Sequence, residues 1–248
     1  MTLLIIIVIV SFSLMHAFEI SSFGSRVAGK VVGTVALGTT LQQTVYTTSR
    51  FLLVPFLPIL GYLVESGISI NLYIQIVIIS FIFSFLIALS VIFNLNNLQH
   101  FYQAIFRKFT LNTIPVAFIK AVLTKKETIN LKNCDNFSVN KIIFKKTLVS
   151  FFAYLFLTTG FFMAFALAII FPENRLTLSQ FTATFHGLGA VIFAFYLDPM
   201  LSRSIDTKED KNDIWLKNVY SILLGRALSY FLVIILLISY LLIKNVFY

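Results

Sequence analysis

The feature that most constrains this chain is the recurrence, along its whole length, of apolar runs long enough to cross a bilayer. A helix needs ~20 largely apolar residues to span the hydrocarbon core. Six such runs occur, at residues 3–20, 31–64, 68–93, 148–171, 176–196 and 215–243. Only 12% of the residues are charged, about half the share of a soluble domain, roughly a quarter. A water-soluble globule is therefore excluded, and the alternating apolar and polar positions of a membrane β-barrel are not seen. The expected fold class is all-α: a polytopic membrane helix bundle of about six spans, one of them broken or kinked. Residues 1–248 form a single integral membrane domain with a basic loop at about 94–147. The first run lacks the basic leader and the small-x-small cleavage site of a signal peptide, so it reads as a retained span.

The second run is too long for one upright helix. It predicts a tilted span to about Tyr46, a break near Ser49 and Arg50, and then a kinked or re-entrant piece carrying Pro55 and Pro58. Proline removes a backbone donor and disturbs the preceding turn. Such breaks are tolerated at membrane depth only against protein or water. Lysine and arginine set the orientation. The 94–147 loop is rich in both. Placing it in the cytoplasm also puts Arg26, Lys30, Arg203, Lys208, Lys211 and Lys217 there, leaving Arg175 and Lys244 outside. Both termini then face outward. Within the loop, residues 101–122 suit an amphipathic helix on an anionic leaflet, interrupted at Pro115. Residues 124–140 and 206–213 read as polar turns.

Two cations remain inside the spans, Arg50 and Arg226. A guanidinium at bilayer centre costs roughly 2.5–3.5 kcal/mol on insertion scales and is kept where it faces water or a partner. Few carboxylates lie at the depth of Arg50, which favours a cavity over the alternatives of a snorkelling side chain or an ion pair with another span, and the hydroxyls of Thr44, Thr47, Thr48 and Ser49, suited to lining a wet groove, precede it. For Arg226, beside Gly225, Ala227 and Ser229, an internal salt bridge stays open as an alternative.

Other polar residues cluster at the end of the first run. His16 and Glu19 are one helical turn apart and share a face, either as a proton-handling or ligand pair or as a pair satisfied at a helix end. Arg26 and Lys30 are also one turn apart. They read either as interfacial anchors or as a clamp for a diphosphate, whose oxygens suit guanidinium forks. Gly24, Gly29, Gly33 and Gly38 mark close helix packing, not a phosphate loop. His186, near Gln180, Thr182 and Thr184, reads as a packing residue. Asp198-Pro199 ends the fifth run, with Asp198 free to cap the helix or pair with Arg203. Cys134 is the lone cysteine, so no intrachain disulfide exists. The three histidines are far apart in sequence, and neither His-Glu-x-x-His nor any Cys/His metal spacing is present. No cofactor, metal or nucleic-acid partner is expected.

The series around His16, Glu19, Arg26, Ala28 and Gly29, then Ser49-Arg50 and Pro55, resembles the Amj family of lipid II flippases. The stretch from Asp198-Pro199 to Asp206 and the Leu224-Gly225-Arg226 region resemble that family's C-terminal half. The resemblance covers most of the chain in order and span count. It implies a multi-pass protein of the bacterial cytoplasmic membrane that translocates undecaprenyl-diphosphate-linked peptidoglycan precursor for cell-wall biogenesis and cell shape. Its partners would be that anionic lipid and the bilayer. On this expectation Arg26 and Lys30 receive the diphosphate, Arg50 and Arg226 hold it midway, and His16 and Glu19 couple proton or water access. Two other classes stay open: a non-catalytic membrane subunit or scaffold, and a membrane-embedded polyprenyl-phosphate enzyme, which needs clustered acid, base or nucleophile groups. The oligomeric state is not legible.

Overall fold

The computed structural model describes residues 1–109, 112–123, 137–206 and 214–247. Cys134, Lys208 and Lys211 lie outside them, as do the polar turns expected over most of 124–140 and 206–213. The described residues contain helices and no strand. Six helical stretches are long and apolar enough to cross a membrane: Thr2–Val32, Val35–Glu65, Ile70–Phe93, Phe144–Ile170, Pro172–Asp206 and Ile214–Lys244. These match the expected six in order and place.

The first stretch is two helices, α1 (Thr2–Ser21) and α2 (Phe23–Val32). At their joint the hydroxyls of Ser22 and Ser25 donate back to the carbonyls of Glu19 and Ser22, both at 2.7 Å. Such back-bonding bends helices. The left-handed Gly33 (φ 82°) then turns the chain into α3 (Val35–Ser49). Here α2 and α3 touch backbone to backbone. A Cβ at Gly29 would lie 2.9 Å from Gly38 Cα, and one at Gly38 would lie 2.7 Å from the Ser25 carbonyl. Close packing, the role expected of four glycines, is what the structure shows at Gly24, Gly29 and Gly38, whereas Gly33 makes the turn and has nothing within 4 Å of a Cβ.

A tight 3-10 turn, Arg50–Leu52, joins α3 to α4 (Leu53–Glu65). The break falls where the sequence placed it. The piece after it runs on to Glu65, so that Val35–Glu65 is one helical stretch long and apolar enough to cross a membrane. Pro55 causes little disturbance because it lies in the first turn of α4, where no intrahelical N–H bond is lost. Gly67 (φ 78°) makes the next turn. It leads into α5 (Ile70–Phe93), then α6 (Leu95–Phe109) and α7 (Ile114–Leu123). The interruption between α6 and α7 precedes Pro115, which sits in the first turn of α7. Leu98 and Tyr102 of α6 lie over Gly24 of α2. Val116, Ile119, Val122 and Leu123 of α7 remain exposed, an apolar stripe at one end of the bundle.

Then α8 (Phe144–Ile170) and α9 (Arg175–Ile192) run antiparallel. A π-helical segment, Phe193–Leu197, links α9 to α10 (Asp198–Asp206), and α11 (Ile214–Phe247) closes the bundle. The core is aromatic: the Phe12, Phe81 and Phe162 rings meet at 4.8–5.9 Å, and Tyr73 donates to the Phe162 carbonyl at 2.6 Å. Burial is uneven. More than half of the most apolar part of α8 and of α11 is buried, against 28% for that part of Val35–Glu65 and 6% for that part of Pro172–Asp206. The α3–α4 and α9 elements therefore flank the open side of the bundle.

A buried charge centre between two grooves

Glu19 stands at the middle of the bundle. Its Oε2 accepts from Arg226 Nη2 at 2.7 Å, and its Oε1 lies 3.0 Å from Arg50 Nη2. Two guanidiniums from α11 and the α3–α4 joint thus share one carboxylate on α1. The remaining described carboxylates, Glu65, Glu173, Asp198 and Asp206, lie at or near helix ends. With the histidines neutral, the centre holds one positive charge more than it neutralises.

The two arginines differ sharply. Arg226 is 1% exposed. Its Nε donates to Tyr230 OH at 2.5 Å one turn along α11, and its guanidinium stacks over the Tyr154 ring at 4.6 Å. His16 Nδ1 lies 2.6 Å from Arg226 Nη2 and 3.1 Å from Glu19 Oε2. A guanidinium only donates and a carboxylate only accepts, so Nδ1 stands between one donor and one acceptor and serves one of them at a time. The expected pairing of His16 with Glu19 is present, inside a four-residue network with Arg226 and Tyr230. Arg226 is ion-paired, the alternative the sequence left open, and it is almost wholly buried while still bordering the cavity described below.

Arg50 is 22% exposed. It stacks over the Tyr46 ring at 4.5 Å and donates to the Tyr46 hydroxyl. Both polar contacts pass through Nη2. Few carboxylates lie at this depth, as expected, but one of them, Glu19, is within ion-pair distance of Arg50, though off the geometry of a hydrogen bond.

Arg26 and Lys30 go elsewhere. Arg26 is 1% exposed and pairs with Asp198, with Nη1 3.4 Å from Ser202 Oγ. Lys30 Nζ donates to the Ile205 carbonyl at 2.5 Å. Asp198 therefore pairs with Arg26 where Arg203 was one expectation. These contacts fasten α2 to α10 at the basic end of the bundle. The structure engages both cations in that fastening, and neither lines the spaces described next.

Four spaces follow one another between α3–α4 and α8–α10. An inner groove of about 1360 Å³ runs along α3 from Gly33 to Thr48, faced by Ser202 and Asp206 of α10. Its polar lining is Thr34, Thr39, Thr40, Gln43, Thr44, Thr47 and Thr48, a hydroxyl and amide stripe. Gln43 also lines a cavity of about 230 Å³ with Gln42, Glu19, Tyr46, Asp198 and Arg226. A constriction of about 10 Å³ follows, walled by His16, Glu19, Tyr46, Arg50, Tyr154 and His186. That is room for about one water molecule. Beyond it an outer groove of about 490 Å³ is lined by Tyr46, Arg50, Ser179, Gln180, Thr182 and His186, with Leu53, Leu57, Phe161 and Phe165 as an apolar wall. Neighbouring spaces share lining residues, and the smallest of the four lies at the charge centre.

Thr44, Thr47 and Thr48 were expected beside Arg50, whereas Thr34, Thr39, Thr40 and Gln43 of the same stripe, and His186 as a wall of the constriction, were not singled out. The run of hydroxyl residues N-terminal to Thr44 on the same helix was the available signal. His16 and His186, 170 positions apart, line the same constriction. Among the described residues no group of three or more His, Cys, Asp or Glu side chains is arranged to hold a metal. Comparison with protein-family models, with curated proteins and with solved structures finds no match to this chain.

Proposed function

We propose that this protein is a flippase that carries a polyprenyl-diphosphate-linked cell-wall precursor, of the lipid II type, across the bacterial cytoplasmic membrane. The supporting observation is the succession of polar-lined spaces with Arg50 at its waist, where two guanidiniums share one carboxylate. The physical obstacle to flipping is passage of a charged, hydrated head through hydrocarbon. Hydroxyls and amides along α3 replace part of the head's hydration, and the uncompensated charge beside Glu19 favours an anion. Two unit charges 4 Å apart attract by ~4 kcal/mol at an effective dielectric near 20. The lipid tail stays in the bilayer at the open side between α3–α4 and α9.

Passage requires the waist to widen, and α9 is the element placed to move. Its outer part rests on α8 at two glycines: a Cβ at Gly160 would lie 2.8 Å from Phe185 Cβ, and one at Gly189 would lie 2.5 Å from the Ala153 carbonyl. Its inner end continues through the π-helical segment into α10, where Leu197, Leu201 and Ile205 are buried and Asp198 is tied to Arg26. A π-bulge next to a pinned end suits a hinge.

The burial of Arg226 and Arg26 favours a second reading, a membrane scaffold in which the ion pairs serve only architecture. One experiment separates the two. In cells depleted of their other precursor flippases, wild-type protein restores outer-leaflet access of the lipid-linked precursor, and Arg50→Gln, present at normal level, does not. Failure of the wild type to restore access rejects transport. Full rescue by Arg50→Gln rejects the role given to Arg50. Chemical conversion of a prenyl diphosphate by the purified protein would favour the enzyme class instead.

A further inference from the structure

We propose that His186 and Arg50 together form a two-point site in the outer groove for the phosphate groups of an anionic lipid, and that a proton on His186 Nε2 sets its strength. This rests on the reading of the four spaces as a path for a lipid-linked anion.

The argument starts from the tautomer. His186 Nδ1, on α9, lies 3.0 Å from the Leu157 carbonyl of α8. A carbonyl only accepts, so Nδ1 bears a hydrogen and donates. In the neutral ring Nε2 is then a lone pair. On taking a proton it becomes a second N–H donor, and the anchor to Leu157 is undisturbed. His16 differs, because its Nδ1 lies within hydrogen-bond distance of both Arg226 and Glu19, fixed partners inside the protein.

Position follows from the glycine crossing. A Cβ at Gly160 would lie 3.0 Å from the backbone nitrogen of His186, and the Phe161 ring centroid is 4.9 Å from the imidazole. Backbone approach thus sets where the ring sits. His186 and Arg50 both line the constriction and the outer groove. Because the contacts of Arg50 to Glu19 and Tyr46 use Nη2, Nε and Nη1 remain for a ligand. Ser179, Gln180 and Thr182 supply neutral donors along the same groove, and the wall of Leu53, Leu57, Phe161 and Phe165 suits a prenyl chain.

The charged and titratable groups facing this place come from each packed element: His16 and Glu19 of α1, Tyr46 of α3, Arg50 of the 3-10 turn, Tyr154 of α8 and Arg226 of α11. Two cations and one anion already leave a positive excess. A protonated His186 adds a second positive charge, so anion binding tightens as pH falls.

The test uses the full chain in nanodiscs of zwitterionic lipid, with farnesyl diphosphate, inorganic diphosphate and farnesol as probes. Measurements at about pH 4.5 and about pH 8 cover an imidazole that titrates at or below its free value of about 6.5. Farnesyl diphosphate is expected to bind the wild type about tenfold more tightly at the lower pH, the gain of one charge-assisted hydrogen bond. In His186→Gln the ratio is expected to fall below about twofold, with protonation of the probe itself common to both proteins. An unchanged ratio in His186→Gln overturns the role of His186 and leaves the transport reading standing. No binding of farnesyl diphosphate to the wild type overturns both. Inorganic diphosphate binding as tightly as the prenyl ester overturns the lipid source, and equal binding of farnesol overturns the phosphate site. Should the variant not fold, 15N NMR of the wild type decides: neutral His186 protonated on Nδ1, with Nε2 shifted by farnesyl diphosphate, supports the site, and a neutral ring protonated on Nε2 overturns it.

Discussion

Arg226 and Arg50 reach the same carboxylate from opposite sides, and their surroundings could hardly differ more. Arg226 is enclosed by α1, α8 and α11, with Tyr154 and Tyr230 against its guanidinium. Arg50 sits where the α3–α4 span bends, with one edge toward an open groove. The first has almost every requirement of a buried charge met by protein. The second meets only part. Similar local sequence, a lone cation in an apolar run, therefore yields an architectural group in one case and an available one in the other. The discriminating quantity is what packs around the charge, not the charge itself.

The comparison breaks most readily at its buried half. Arg226→Met leaves Arg50 as the sole cation on Glu19 and removes the donor to His16 and Tyr230. Breaking a buried pair by removing one partner costs about 3–5 kcal/mol. Thermal unfolding in detergent is expected to show a large loss of stability, and a shift no greater than that of Arg50→Gln would erase the distinction between the two arginines.

At the basic end, Asp198→Asn takes the counterion from a buried Arg26 but keeps a hydrogen-bond acceptor. A smaller loss is expected, of about 2 kcal/mol. Proteolysis near the α10 end should increase, since α2 is no longer held to α10 by charge. Unaltered proteolysis would mean that packing of Leu197, Leu201 and Ile205 fastens that end unaided.

Gly189→Ala sharpens the account of the mobile side. Its Cβ would meet the Ala153 carbonyl at 2.5 Å and the Leu157 nitrogen at 2.6 Å, so α9 must shift from α8. Overpacking costs typically about 1–3 kcal/mol. The expected signature is a change in α8–α9 distance by paired spin labels, with the α5–α11 distance unchanged. Equal changes in both would contradict independent motion of α9.

Arg50→Gln is expected to have the smallest effect on stability, within about 1 kcal/mol, because Glu19 keeps Arg226 and the groove admits water. Its effect on precursor translocation is expected to be large, tenfold or more. A loss of stability equal to that of Arg226→Met would place Arg50 with the architecture.

Much of this was legible in the sequence, and the reasons are local. Span positions follow from run length. The break at Ser49–Arg50 follows from an over-long run with prolines beyond it. The His16–Glu19 contact follows from three-residue spacing on one helix. The pairing of Glu19 with Arg226 and of Arg26 with Asp198 was not legible, since each joins residues more than 170 positions apart through helix packing. Arg26 was assigned to substrate for that reason, and its burial follows from α2 being a packed helix where an interfacial segment was expected. The acceptor of His186 is the Leu157 backbone carbonyl, which no side-chain pattern reports.

Everything proposed depends on a hydrated track interrupted at one waist. Single cysteines in a Cys134→Ser background test it directly: Thr44→Cys for the inner groove, Thr182→Cys for the outer, and Ser80→Cys, fully buried in α5, as the sealed control. Membrane-impermeant thiol reagents, applied from each side of sealed vesicles, are expected to label Thr44→Cys from the basic side and Thr182→Cys from the far side, sparing Ser80→Cys. If both groove positions are as unreactive as the sealed one, no aqueous path exists and the transport account fails.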